Sequence, residues 1–236
     1  MRIILIICSF ILLSFRINGQ NINSQASNSF FYEIVKNKHL ETVKNVNLPV
    51  EEQISGNPYL NREFRPGVII KTNKTEFRDI PLRYNIFNNT MEFKQKETIL
   101  EIIDPQTIDH ILLDEKVFIY GPYKSARKIR LSYFQLLTKG KFQLLKMYRV
   151  NLKGAGEKME LPVFESRTSL YFLRYLKGTA HQIDSSKKLI QILQPISQEV
   201  IDRIQQNRIT DYDENELIQL LEYINLTLEQ SIYRKN

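Results

Sequence analysis

The sequence predicts an α+β fold in which an antiparallel β-meander is followed by helices packed against it. Apolar and polar residues alternate along many short segments of residues 67–176, and a period of two is typical of strands with one buried face. These segments follow each other closely, which favours antiparallel hairpins over β-α-β units. After Gly178 the apolar spacing becomes helical. We therefore expect about eight or nine strands in a curved sheet or partial barrel, with C-terminal helices at about residues 186–228.

Residues 1–19 have the layout of a cleavable secretory signal. The basic residue Arg2 precedes an apolar run at 3–15, and the small residue Gly19 ends the segment. The run is shorter than the about 20 apolar residues that a membrane-spanning helix needs. Cys8, the one cysteine of the chain, lies inside it. The exported chain would therefore form neither disulfides nor a thiolate zinc site.

The rest of the chain divides into a polar N-terminal segment and connector at 20–56 and a single β-rich domain at 57–236. Removal of residues 1–19 leaves 217 of the 236 residues, which is enough for one domain with a real core. The formal net charge falls from +7 to +5, because Arg2 and Arg16 leave with the signal. This mild basic excess is typical of a solvated surface, and no nucleic-acid partner is expected. Membrane contact is expected only through the signal, if it stays uncleaved.

The stretch 67–93 has the clearest strand pattern and organises the predicted sheet. It predicts three strands joined by turns at Asn73-Lys74 and Asn88-Asn89, since Asn tolerates the left-handed backbone that hairpin turns need. Apolar residues alternate along 80–86. Pro81 interrupts this strand and indicates an edge or a bulge, because proline removes a donor from the hydrogen-bond ladder.

The same signals predict the later strands. These are expected at 99–103, 110–113, 116–120, 129–137, 142–150 and 169–176. Asp104-Pro105 and Gly121-Pro122 are expected to break the chain between strands, and Lys139-Gly140 is a predicted hairpin turn.

The C-terminal part predicts helices. One is expected at 187–194, and Ser197 is placed to cap the next. Asp213 and Glu216 form a capping-box pattern before the closing helix. That helix has an apolar stripe at helical spacing, made of Leu217, Leu220, Leu221, Ile224 and Leu228. We expect the stripe to seal one side of the sheet rather than to bind a partner.

Three polar residues of the central hairpin form the candidate site. Alternation places Arg83 and Asn85 on the face opposite Leu82 and Tyr84, and Arg83 faces Glu92 across the turn. A cross-strand pair of this kind contributes about 0.2–1 kcal/mol. Arg83, Asn85 and Glu92 have two interpretations. The favoured one is control of the hairpin register, and the other is a polar binding site on the surface.

No pattern of catalytic, metal-binding or cofactor-binding residues is found. The histidines His39, His110 and His181 are far apart and lack ligand spacing, and there is no nucleophile elbow or phosphate-binding glycine loop. Asp109-His110 is a candidate acid–base pair, but nothing marks a nucleophile beside it. We expect an ordinary surface histidine there. The many Tyr and Phe residues are typical of a β-rich core, or else of a pocket for an apolar or glycan ligand.

Three segments carry a family resemblance. GNPYLNREF at 56–64, LRYNIFNNTMEF at 82–93 and YFQLLTKGKFQLLKMY at 133–148 follow the export signal. With it, the chain resembles a group of uncharacterised secreted proteins of Bacteroidota over most of its length. The resemblance implies export to the periplasm or outer envelope and implies no particular activity.

Three functions remain open on this basis. The favoured hypothesis is an exported, non-catalytic envelope or periplasmic protein that acts by interaction or assembly with an envelope protein. The second is a carrier that holds an apolar ligand in the curved sheet, which requires a large enclosed apolar cavity. The third is a hydrolase, which requires a cleft that collects His110 or His181 with two carboxylates.

The export signal is open to a direct test. N-terminal sequencing of the protein purified from its own cells should give a chain that begins at or within a few residues of Gln20, because signal peptidase cleaves after a small residue. An intact Met1 on soluble cytoplasmic protein would contradict the prediction.

Overall fold

The predicted fold class is confirmed, with ten strands in the sheet. The computed structural model describes residues 54–154, 162–193, 198–206 and 213–233. In these residues an antiparallel sheet curves into a half-barrel, and three helices follow it. The predicted signal, His39 and most of the predicted connector lie outside the described residues.

The elements follow each other closely along the chain. The strands are β1 (Arg65–Lys71), β2 (Glu76–Asn85), β3 (Thr90–Gln95), β4 (Thr98–Glu101), β5 (Ile108–Leu113), β6 (Lys116–Ser125), β7 (Lys128–Leu136), β8 (Phe142–Arg149), β9 (Leu152–Lys153), β10 (Val163–Phe164), β11 (Thr168–Tyr175) and β12 (His181–Gln182). The helices are α1 (Ser186–Leu193), α2 (Gln198–Gln206) and α3 (Glu214–Tyr233).

The sheet consists of two meanders rather than one. Its order is β12-β11-β8-β7-β6-β5-β1-β2-β3-β4, and β9 pairs with β10 separately. The chain therefore returns from the edge strand β4 to the far side of β1 before it starts the second meander. Residues 102–107 make this crossing, with Ile102 and Pro105 buried.

The predicted turns and bulge of the first meander are present. Lys74 and Asn89 take left-handed φ angles of 70° and 55° at the two predicted turns. Pro81 faces Pro66 of β1. At this pair neither proline lies where the hydrogen-bond ladder would need its missing N–H. The register shifts just beyond this pair, and Asp79 takes a φ of 55°. β2 is thus an interior strand with a bulge, not an edge strand.

Gly121-Pro122 does not end a strand, contrary to the prediction. β6 continues through both residues to Ser125, and Pro122 faces Leu131 of β7. On its other side β6 has already left β5, whose pairing ends at Phe118. Proline is tolerated because no strand on that side requires its missing N–H.

The second half of the sheet closes into a ring of five strands. The Lys124 N–H donates to the Ala180 carbonyl at 2.9 Å, and the Ala180 N–H donates to the Pro122 carbonyl at 2.9 Å. These bonds join β6 to the residue before β12, while β7, β8 and β11 complete the circuit through regular pairing. We call this unit the five-strand ring.

Aromatic side chains fill the five-strand ring. Tyr123, Phe134 and Phe172 are all buried, and their ring centroids lie 5.3 to 5.8 Å apart in edge-to-face contacts. Such pairs contribute about 0.5–1.5 kcal/mol each beyond the burial of their area. The aromatic residues of this half therefore form a packed core, as the composition predicts.

The closing helix begins with the predicted capping box and buries the predicted stripe. Glu216 N–H donates to Asp213 Oδ1 at 2.8 Å, and Asp213 N–H donates to Glu216 Oε2 at 2.9 Å. Stripe residues pack with side chains of β8, β11 and the other helices in one core. The buried members of this core are Phe142, Leu144, Leu173, Ile183, Leu189, Leu193, Val200, Ile204, Leu217, Leu220, Leu221 and Ile224.

Asn225 fixes α3 to the predicted Lys139-Gly140 turn. Its Oδ1 accepts a hydrogen bond from the Phe142 N–H at 3.0 Å, and its Nδ2 donates to the carbonyls of Phe142 and Lys139 at 2.8 and 3.2 Å. Gly140 has a φ of 120°, and a Cβ there would lie 2.6 Å from Asn225 Cγ. Only glycine suits both this backbone angle and this close contact.

A pair of leucines on α3 tests whether the stripe is core. Leu221→Ala should lower the free energy of unfolding by about 2–5 kcal/mol, because it leaves a cavity at a fully buried position. Leu226→Ala is the matched control, since Leu226 is 58% exposed on the same helix. Urea unfolding of both variants measures the difference, and equal stability of the two would refute the assignment.

Candidate functional site

The three predicted site residues come together, but they are not on the surface. Arg83, Asn85 and Glu92 are 8%, 1% and 0% exposed. The sequence pattern assumes that one face of β2 meets solvent, yet the segment before β1 covers it. The Arg83 guanidinium lies 3.7 Å from the ring centre of Tyr59 and 4.4 Å from that of Phe64. Through these cation–π contacts the two rings shield the Arg83 guanidinium from solvent.

The polar groups of these residues satisfy one another. Arg83 Nε and Nη2 donate to Glu92 Oε2 at 3.0 and 2.5 Å, and Arg83 Nη1 donates to the Arg62 carbonyl at 3.1 Å. Asn85 Nδ2 donates to Glu92 Oε1 at 3.0 Å. The predicted cross-strand pair is confirmed, and Arg83 is in register with Glu92. Buried and internally paired, the group favours register control over ligand binding.

Asn89 has a role that its position in a turn did not reveal. Its Oδ1 accepts hydrogen bonds from Tyr84 Oη at 3.0 Å, from Ser132 Oγ at 3.0 Å and from the Tyr133 N–H at 3.2 Å. β7 pairs with β8 only at residues 135–136, so this earlier part of β7 has no β8 partner. The Asn89 side chain takes the place of a strand there and joins the two meanders.

An open cavity of about 790 Å³ lies where β12, α1 and the end of β6 meet. Its lining includes the cationic or titratable residues Lys124, Arg149, His181, Lys188 and Tyr175, and the backbone at Gly178. None of the described residues that line it is Asp or Glu. We call it the basic cavity.

The charges around the basic cavity are unevenly balanced. Partial burial lowers the pKa of His181, and the nearby charges of Lys124 and Lys188 lower it further. Lys188 Nζ lies 2.9 Å from Asp184 Oδ2, which holds the pKa of that carboxyl below its usual value. In the described part of the chain no carboxylate pairs with Lys124 or Arg149. The cavity therefore has a net positive charge.

A buried arginine lies inside the five-strand ring. Arg174, next to the lining residue Tyr175, is 8% exposed. Its Nε and Nη2 donate to Gln143 Oε1 at 2.9 and 2.6 Å, and a Cβ at Gly121 would lie 3.2 Å from its Nη1. Burial lowers its pKa, yet a guanidinium remains charged. Its hydrogen-bond partner is a neutral amide, so the charge is not cancelled locally.

The tip of the β6–β7 hairpin extends the basic surface. The four residues 128–131 at the start of β7 are all exposed, with Ile129 at 61% and Leu131 at 46%. Lys128 and Arg130 alternate with them. Residues 124–126 of the same hairpin line the basic cavity. We call the hairpin tip and the cavity together the basic face.

A polar cluster under α3 fastens that helix to the sheet. Lys146 Nζ lies 2.6 Å from Glu214 Oε2, and Tyr171 Oη donates to the same oxygen at 2.9 Å. Burial, followed by the Glu214 carboxylate, raises the pKa of Tyr171 to about 12. The tyrosine therefore stays protonated and donates to the carboxylate. Both partners of Glu214 belong to the sheet, so the cluster holds the start of α3 in place.

The Asp109-His110 pair does not form an acid–base site with a nucleophile. His110 Nδ1 lies 3.2 Å from Asp109 Oδ2, and the lysines Lys74 and Lys177 each approach Asp109 to 3.4 Å. Partial burial raises the pKa of Asp109, but hydrogen bonds from His110 and the two lysines outweigh it, and the pKa is lowered. Within the described part of the chain no second carboxylate joins either His110 or the cavity residue His181, so the hydrolase hypothesis gains no support.

The core beside the first meander is filled by side chains of both meanders. Phe93, Ile111 and Phe118 are among its fully buried residues. A carrier would need that space for its apolar ligand, so the packing counts against this hypothesis. In the described ranges no group of His, Cys, Asp and Glu side chains is placed to hold a metal ion. Nor is any described helix long and apolar enough to cross a membrane.

No family model, curated protein or solved structure matches the chain. The function has to be inferred from its own residues. The basic cavity was missed by sequence reasoning because its residues come from β6, β8, β12 and α1 and share no local spacing. The sequence indicated an anionic partner only through the excess of basic residues over the whole chain, which does not locate a binding site.

The buried ion pair predicts a large difference between two arginines of one strand. Arg83→Ala should cost about 3–5 kcal/mol of folding free energy, because it leaves the Glu92 carboxylate buried without its cation. Arg78→Ala should cost less than about 1 kcal/mol, since its pair with Glu76 is exposed. Urea denaturation measures both, and similar losses would show that Arg83 contributes only as a surface pair.

Proposed function

We propose that this chain is an exported, non-catalytic protein of the periplasm or outer envelope that acts by interaction or assembly. Its partner is anionic and binds at the basic face. The observation that carries the proposal is the lining of the basic cavity, where Lys124, Arg149, His181 and Lys188 converge and no described residue contributes a carboxylate.

Electrostatics supports an anionic partner. A concave surface lined by one sign of charge focuses its field and attracts oppositely charged groups. Arg174 strengthens this field, because a buried charge is screened less by salt than an exposed one. At the hairpin tip, Ile129 and Leu131 add apolar area beside the cations. Protein interfaces commonly combine such area with arginine.

The same residues favour binding over catalysis. A general base needs a neighbour that holds or activates a proton, and histidine usually gains this from a carboxylate. His181 instead faces two lysine charges that oppose its protonation. Among the described residues no carboxylate orients the His181 ring, whereas an anion bound beside it would favour its protonation.

Export rests on the sequence pattern at residues 1–19 and on the resemblance to secreted proteins of Bacteroidota. An exported chain with its cysteine removed depends on core burial for stability. The packed cores of the two meanders fit such a chain.

Charge reversal tests the interaction. Lys124→Glu with Arg149→Glu should lower the salt concentration at which the protein elutes from a heparin column, because two cations of the basic face become anions. It should also abolish co-purification of an envelope partner after cross-linking in the native cells.

The control has the same net charge but changes the other half of the sheet. Lys94→Glu with Lys96→Glu alters the end of β3 and its turn, outside the cavity lining. It should elute later than the first variant and retain the partner. Identical behaviour of the two variants would mean that only net charge matters, and the proposal would fail.

A further inference from the structure

We propose that the basic cavity holds one compact oxyanion, a phosphate or sulfate group carried on a larger molecule, between Lys124, His181 and Lys188. This inference rests on the proposed function and adds the chemical class of the group that is recognised. The cavity of about 790 Å³ is much larger than one such group and leaves room for the molecule that carries it.

The backbone fixes the three side chains relative to one another. Lys124 N–H bonds to the carbonyl of Ala180, the residue before His181. His181 is in register with Leu173 of β11, a fully buried residue. Lys188 lies in the first turn of α1, which is anchored by the buried Leu189. Three elements of fixed position therefore present their polar groups to one space, which limits the entropy lost on binding.

The donors suit a tetrahedral oxyanion. Two lysine ammonium groups bind phosphate as point charges without a fixed approach angle, and a protonated histidine adds a directed N–H donor. Asp184 balances part of the charge of Lys188 from the rim of the site. Arg149 on β8 adds another cation to the lining, while Tyr123 and Tyr175 are the remaining titratable side chains there.

Binding should be coupled to protonation of His181. In the free protein, burial and the two lysines hold the pKa of His181 below its usual value. A bound oxyanion reverses the local field and raises that pKa, so the complex takes up a proton. The affinity for an oxyanion of constant charge, such as sulfate, should therefore increase as the pH falls from about 8 to about 6.

Isothermal titration calorimetry with inorganic phosphate, and then with sulfate, measures the binding affinity directly. We expect saturable binding of phosphate and of sulfate to the purified protein, and sulfate binding that is stronger at pH about 6 than at pH about 8 because the charge of sulfate does not change in this range. Lys124→Gln with Lys188→Gln should weaken it about tenfold or more, since charge-assisted hydrogen bonds are lost. Lys94→Gln with Lys96→Gln is the matched control and should leave the affinity unchanged, because neither residue lines the cavity.

Proton NMR of the histidine rings gives a second readout that a structural role would not change. The pKa of His181 should rise when phosphate is added. His181→Gln identifies the resonance. Absence of saturable phosphate and sulfate binding would overturn the inference, as would binding that the double lysine variant does not weaken.

Two further ligands identify the source of the group. A soluble sugar phosphate and vesicles that contain phosphatidylglycerol are compared under the same conditions. Competition of either with inorganic phosphate supports the site and names its carrier. If no phosphate binds but the heparin and partner results hold, the basic face recognises charge without an oxyanion pocket, and this inference alone fails.

Discussion

The buried carboxylate of Glu92 is the constraint on which the rest of the sheet depends. A charge with no exposed surface is tolerated only when it is paired and hydrogen-bonded. Arg83 and Asn85 supply those bonds only if β2 and β3 keep their observed register. A slip of one residue would turn Arg83 to the opposite face and leave the carboxylate unpaired. The pair therefore selects one alignment of the hairpin.

That alignment also determines how the two meanders meet. It places the turn at Asn88-Asn89 where the Asn89 amide oxygen reaches the backbone of Tyr133. β7 pairs with β8 only at Gln135 and Leu136, and β6 bonds to Ala180 beside β12. The Asn89 side chain therefore links the hairpin that the ion pair aligns to the half of the sheet that carries Lys124.

Much of the fold could be predicted because its causes are local. Period-two patterns, Asn and Gly turns and the Asp213 capping box act within a few residues, so the sequence displays them. The burial of Arg83 could not be predicted, since its cover comes from Tyr59 and Phe64, outside the hairpin. The effect of Pro122 was predicted wrongly for the same reason. A proline fits within β6 only because the pairing of β6 with β5 has already ended, which the local sequence does not show. The basic cavity depends on tertiary closure alone.

The cavity stores electrostatic repulsion that the fold relieves only in part, through the pair between Lys188 and Asp184. Lys124, Lys188 and His181 lie close enough for the lysines to lower the histidine pKa, and Arg174 is buried beside a neutral amide. A carboxylate at any of these lining positions would pair with them. The depressed pKa limits the cost, since the ring stays neutral where a third charge would add to the repulsion. An anion that enters would reduce this repulsion, and by linkage it would stabilise the folded chain by an amount that grows with the logarithm of its affinity and concentration.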